Sequence, residues 1–239
     1  MTLYNHETGG AACPIFPKKG PRAVILCDGP PPAPGVLEYW LGGADLFIAT
    51  DAAGHPYDHL PQSPQVVIGD FDSLAGRILD GRDGPLFLRD DDQHTTDSEK
   101  AILYALDRGM EEVVLVGAVG WRLDHTLYNT NLLERYADQI RIALAGHAAD
   151  GVRLGPNETI SWTLDIGTRF SLQPLLGTSK GVTLEGAEYP LLAEDLGPQG
   201  PATISNRVAF DPLLISAGDG PLLVLVDREG PNPALRSGD

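Results

Sequence analysis

Two aspartates one residue apart, Asp70 and Asp72, close the apolar run VVIG in the segment VVIGDFDSL. Like charges at that spacing repel and perturb each other's ionisation, so the pair calls for a shared cation or a solvated turn. A hard divalent ion such as Mg²⁺ takes oxygen ligands and keeps waters that phosphates can replace. The competing reading is that Asp72 or Ser73 caps a helix starting near Leu74. A second acidic block, DDDQHTTDSEKA, spans residues 90–101. There Thr96 and Glu99 have the spacing of a capping box, which makes Asp97 the first helical residue. An aspartate at that place ordinarily just complements the helix dipole. Two acidic blocks at the ends of neighbouring strands together suit one or two Mg²⁺ ions around a polyphosphate. Asp51 closes a further apolar run and is followed by Ala52, Ala53 and Gly54, small enough for a ligand to approach the backbone.

The segment GAVGWRLDHTLYN, residues 117–129, offers Arg122, Asp124 and His125 at a helix start behind a glycine turn. A helix amino terminus accepts anions, so this suits a phosphate or nucleotide loop. It is neither a Walker A sequence nor G-x-G-x-x-G. Asp124 alone serves equally as a helix cap, and His125 alone as a structural histidine. Farther on, Tyr189 in GAEYPL and Ser205-Asn206 in TISN stand out but read as well as packing and turn residues.

These residues must be positioned by something. Strands are expected at 22–29, to Thr50, at 65–70, 84–90, 111–120 and 139–146. Helices are expected up to Gly42-Gly43, after Thr96 with Ile102, Leu103 and Leu106 on one side, and from Leu123. Continuous apolar strands alternating with helices indicate a parallel sheet covered on both faces. Ligands of such sheets lie at the carboxyl ends of the strands. Asp28, Asp51, Asp70 and Asp90 all fall at or just past those ends. After about residue 148 turns recur every eight to twelve residues, the texture of an antiparallel sandwich or barrel. The expected organisation is thus a flexible arm at 1–21, an α/β unit at 22–147 and a β-rich unit at 148–239.

The chain has 239 residues and a formal net charge of −16, a field that repels nucleic acid. Two cysteines, Cys13 in a loose leading segment and Cys27 in a strand, make no disulfide framework or metal spacing. With no apolar leader and no run near 18 apolar residues, a cytoplasmic protein without membrane contact is expected.

In this order the motifs resemble the thiamine pyrophosphokinases, over residues 22–228. The resemblance rests on Asp51 with its small neighbours, GDFDS, DQHTTDSEKA, GAVGWRLDHTLYN, GAEYPL, TISN and GPLLVLV. It implies a Rossmann-like α/β domain that binds ATP and Mg²⁺, and a β-rich domain that binds thiamine and forms a homodimer. The implied activity transfers the pyrophosphoryl group of ATP to the hydroxyethyl oxygen of thiamine, giving thiamine diphosphate and AMP. It casts Asp51, Asp70, Asp72 and Asp97 as catalytic, with Asp70, Asp72 and Asp97 on the metal. Asp51, Thr96, Arg122, Asp124 and His125 would meet ATP; Gln93, Tyr189, Ser205 and Asn206 would meet thiamine. The sequence departs from the family at Ala52-Ala53 for Gly-Gly, His94 for Asp, Trp121 for Gly and Arg207 for Glu. A same-fold pyrophosphokinase for another alcohol, such as a hydroxymethyl-dihydropterin, and a non-catalytic thiamine or nucleotide binder stay open. So does a D-x-D phosphatase, although such a pair usually ends a first strand rather than a third.

Overall fold

A computed structural model describes residues 13–51, 53, 55, 59–71 and 84–228. Asp72, with Ser73 and the helix expected near Leu74, lies outside the described residues, as do Ala52, Gly54 and residues 1–12. Among the described residues the chain forms two compact units, one from Pro17 to His147 and the other from Ala148 onward together with Cys13–Phe16.

In the first unit, β1 (Arg22–Leu26), β2 (Leu46–Thr50), β3 (Val66–Gly69), β4 (Leu86–Arg89), β5 (Glu112–Val116) and β6 (Arg141–Ala145) are all parallel, in the order β6-β5-β1-β2-β3-β4. Strands β1, β3 and β5 are buried at every residue, which is why they read as unbroken apolar runs. The chain winds outward from β1 to β4, then returns to β1's other side with β5. That reversal between β1 and β5 opens a crevice at the carboxyl ends of the two strands.

The helices are α1 (Val36–Leu41), α2 (Asp97–Asp107) and α3 (Leu123–Arg135). Thr96 caps α2 as its sequence implies, its hydroxyl accepting the Glu99 N–H at 3.4 Å. The reciprocal half of the capping box is absent. Glu99 is buried and accepts from Tyr136 at 2.7 Å, from Tyr128 at 2.5 Å, and pairs with Arg135 at 3.1 Å. A carboxylate offered three donors from α3 and the residue that ends it gains more there than from one backbone N–H. The packed face of α2 also differs from expectation. Ala101, Ile102 and Ala105 are buried while Leu103 is exposed, because small residues let the helix sit close on the sheet.

At the amino ends of the strands, Arg22, Glu112 and Arg141 are the first residues of three adjacent strands and stand in cross-strand register. Arg22 grips Glu112 at 2.7 and 2.9 Å, and Arg141 closes on its other oxygen. Arg22 and Glu112 are wholly buried, so each needs the other.

The second unit is antiparallel. It holds β7 (Ala149–Leu154), β8 (Thr159–Trp162), β9 (Arg169–Pro174), β10 (Ser179–Glu185), β11 (Leu191–Leu196), β12 (Asn206–Arg207), β13 (Leu213–Ser216) and β14 (Leu222–Asp227). They run in two sets, β12-β9-β14-β7 and β11-β10-β13-β8. Val182, Leu184, Leu213, Ile215, Leu222 and Val224 form its core. Cys13, Ile15 and Phe16 are buried as well, so the leading segment is not loose from residue 13 onward; three apolar side chains anchor it. No described helix is long and apolar enough to cross a membrane.

Candidate active site

The crevice between β1 and β5 is a pocket of about 200 Å³ floored by strand ends and flanked by the amino ends of α2 and α3. Two loops close it from below. A Cβ on Gly29 would fall 2.0 Å from the Gly117 carbonyl oxygen, so only glycine lets the loops after β1 and β5 touch. Buried Asn129 donates to the Ala118 carbonyl at 2.7 Å and fixes the second loop to α3.

Asp51 follows β2 in the left-handed region, with φ of 42°. Its N–H donates to Ile68 at 2.8 Å, which carries the β2–β3 ladder past the strand end. The side chain is 7% exposed, and its buried Oδ1 has no hydrogen-bond partner among the described residues. A buried carboxylate oxygen left without a donor is costly unless a ligand supplies one.

Asp28 lies beside it, its N–H held by Thr50 Oγ1 at 3.2 Å. Partial desolvation pushes the Asp28 carboxyl up from the usual range, and the Asp51 charge adds to this. Asp97 opens α2. Burial raises its carboxyl above the ordinary value; Lys100 at 3.1 Å opposes that, and the fields of Asp51 and Asp70 add to it. Buried Lys100 also donates to the Asp90 carbonyl at 2.8 Å, tying α2 to the end of β4. Asp70 sits just after β3, half-buried.

On the other side, Arg122 precedes α3 as its N-cap, so Asp124 is not the cap. Arg122 instead binds Asp124 with two hydrogen bonds of 2.6 and 3.2 Å, and this holds the Asp124 carboxyl down at about 2. Asp124 in turn accepts the His125 N–H at 3.0 Å. Arg122 and His125 line the pocket together with Asp51, Thr96 and Asp97.

Of the residues singled out from sequence, Asp51, Thr96, Asp97, Arg122 and His125 thus share one pocket, with the Asp70 field reaching Asp97 and Asp124 attached through Arg122. Gln93 is exposed and donates to Asp91's carbonyl at 3.4 Å. Tyr189, Ser205 and Asn206 belong to the second unit. There buried Asn206 accepts the Tyr189 N–H at 3.1 Å and donates to its carbonyl at 2.8 Å, while Ser205, at φ of 60°, donates its N–H to Ser171. Sequence reasoning passed over Lys100 and Asn129, and gave Asp28 and Trp121 no role in the site although it noted both. Only Asp28 carried a signal, its place at a strand end.

Among the described residues no three His, Cys, Asp or Glu side chains come close enough together to hold a metal ion. Asp72 falls outside that search.

Residues 37–144 match the family model described as thiamin pyrophosphokinase, catalytic domain. A curated relative, thiamine pyrophosphokinase 1 of Arabidopsis thaliana, is 27% identical across 73% of this chain and 75% of its own. Two solved structures share the fold. One is the thiamine pyrophosphokinase of Bacillus subtilis, with a TM-score of 0.73 at 24% identity, covering 87% of this chain and 99% of that one. The other is the thiamin pyrophosphokinase of Candida albicans, with a TM-score of 0.73 at 15% identity, covering 88% and 90%. The resemblance carried by the order of motifs is borne out.

Proposed function

With residues 37–144 matching a thiamin pyrophosphokinase catalytic domain, we propose that this chain transfers the pyrophosphoryl group of ATP to the hydroxyethyl oxygen of thiamine, giving thiamine diphosphate and AMP. The observation that carries the reading is the buried Oδ1 of Asp51, without a partner among the described residues, in a pocket it shares with Asp97 and Arg122. Such an oxygen, beside two carboxyls raised by desolvation and mutual repulsion, fits a divalent cation.

Mg²⁺ held by Asp70, Asp72 and Asp97 would neutralise the phosphate oxygens and make the β-phosphorus more electrophilic. The rest falls to the chain's own groups. Arg122, His125 and the amino end of α3 hold the polyphosphate, and Thr96 and Asp51 orient it from the α2 side. The thiamine oxygen attacks the β-phosphorus; an O–P bond forms while the bond from that phosphorus to the α-phosphate oxygen breaks, and AMP leaves. Asp72 or Asp97 takes the hydroxyl proton, and burial raises the Asp97 carboxyl above its ordinary value. The cationic thiazolium of thiamine suits acidic walls, which makes the pocket's charge less adverse to this substrate pair.

In this reading the parallel unit, residues 22–147, is the Rossmann-like ATP and Mg²⁺ domain. Residues 148–239 supply Tyr189, Ser205 and Asn206 to thiamine and the surface of a homodimer, Gln93 completes the thiamine contacts, and the protein works in the cytoplasm. Purified protein with ATP, Mg²⁺ and thiamine should release AMP and thiamine diphosphate one for one, and EDTA should stop both. A folded sample that forms neither product overturns the proposal. Equal or better turnover of a hydroxymethyl-dihydropterin reassigns the alcohol.

A further inference from the structure

A nucleotide has two faces to satisfy, a polyanion and a flat apolar base. The carboxylates and Arg122 account for the first. Nothing assigned so far accounts for the second. Among the described residues lining the pocket only Trp121 and His125 are aromatic, and of these only Trp121 has a wide apolar ring. The ring is 76% exposed, whereas Trp40 and Trp162, the other tryptophans, are buried at 1% and 8% exposure. Leaving an indole in water sacrifices burial that the fold uses elsewhere.

The backbone is built to present it. Trp121 has φ of 22°, between Gly120 at 120° and the helix start, a conformation that a bulky residue seldom adopts. Thr126 clamps both sides of that kink. Its hydroxyl accepts the Gly120 N–H at 2.9 Å and lies 3.2 Å and 3.0 Å from the carbonyls of Gly120 and Arg122. A strained residue held on both flanks at the rim of a pocket points to a role there.

The geometry points to Trp121 as the surface on which the purine base of the bound nucleotide stacks, with Arg122 next to it on the phosphates. This rests on the pocket being the ATP site. The indole replaces none of the phosphate contacts; it reads the base by its face, so it favours purine nucleoside triphosphates over the bare polyphosphate.

The test compares wild type with Trp121→Ala, Trp121→Phe and Trp121→Gly, the last suited to the left-handed backbone. Each is titrated by calorimetry with Mg-ATP and, separately, with magnesium tripolyphosphate, and sedimentation is followed in parallel. Loss of the ring should raise the Kd for ATP about 5- to 100-fold and leave that for tripolyphosphate unchanged, with Phe recovering most of the loss. In wild type, ATP but not tripolyphosphate should change the tryptophan emission. Unchanged ATP affinity, or equal losses for both ligands, overturns the inference. So does a shifted sedimentation coefficient with ATP affinity intact, which would make Trp121, Leu123 and Leu127, all exposed, a protein contact instead. A wild type that binds ATP and converts ATP and thiamine to AMP and thiamine diphosphate, while the variants bind ATP normally, sinks the stacking role alone. A wild type that binds no ATP sinks the site and the stacking role together.

Discussion

Gly69 passes so close to Asp51 that a methyl group on it would come within 3.1 Å of both the Cα and the Cβ of the aspartate. The end of β3 therefore sets where the Asp51 carboxylate stands, although the two are on different strands. Gly69→Ala should displace Asp51 by a few tenths of an ångström while the strand pairing survives. The expected outcome is a fall in kcat of about tenfold or more, since small misplacements of reacting groups cost that much. KM for ATP should move little. Steady-state kinetics on a variant with wild-type circular dichroism checks it.

Glu99 binds α2 to α3 through Tyr128, Arg135 and Tyr136. Glu99→Ala leaves the Tyr136 hydroxyl, which desolvation and the Glu99 bond hold up at about 12, without its acceptor. A loss of about 2–3 kcal/mol in urea unfolding is expected, the worth of hydrogen bonds to a buried charge. A change below about 0.5 kcal/mol would show that the helices are held by packing alone.

Asp28 gives a pH signature. Its folded-state carboxyl is raised, so its charged form is disfavoured in the native protein. The proton-bound form's advantage is present below the unfolded value and is lost as pH rises through the folded value. Asp28→Asn should therefore melt higher than wild type near ~pH 7, and the gap should close near ~pH 3, where both are neutral. Thermal melts across that range decide; a variant that melts lower at neutral pH would contradict the raised carboxyl.

Arg122 and Asp124 form a close pair that is two-thirds exposed, 67% and 65% for the two side chains. Exposed pairs add little to stability. Arg122→Ala should thus leave the Tm nearly unchanged while raising the KM for ATP by roughly tenfold, the worth of one charge-assisted contact. A large drop in Tm with normal KM would make the pair structural.

What the sequence conveyed follows from how far each feature reaches. The Thr96 cap was legible because its partner is three residues away. The parallel strands were legible because burial on both faces leaves an apolar run. Glu99 was misread because its partners lie 29 and 37 residues on, and a local motif offered it a nearer one. Asp28 was noticed as a strand-end acid but could not be told from its neighbours. Its position beside Asp51 arises only when β1 and β2 pair, and Thr50 takes its N–H. Nor does periodicity reveal that Arg22 and Glu112, ninety residues apart, meet inside the protein.

That last pair separates two duties along the same strands. The amino ends of β1, β5 and β6 are locked by Arg22, Glu112 and Arg141, while the carboxyl ends of β1 and β5 carry the pocket. Substitutions at the open end leave the lock intact. A lineage can therefore exchange the residues that choose a ligand without first acquiring stability elsewhere. The foundation lies out of reach of whatever is selected at the rim.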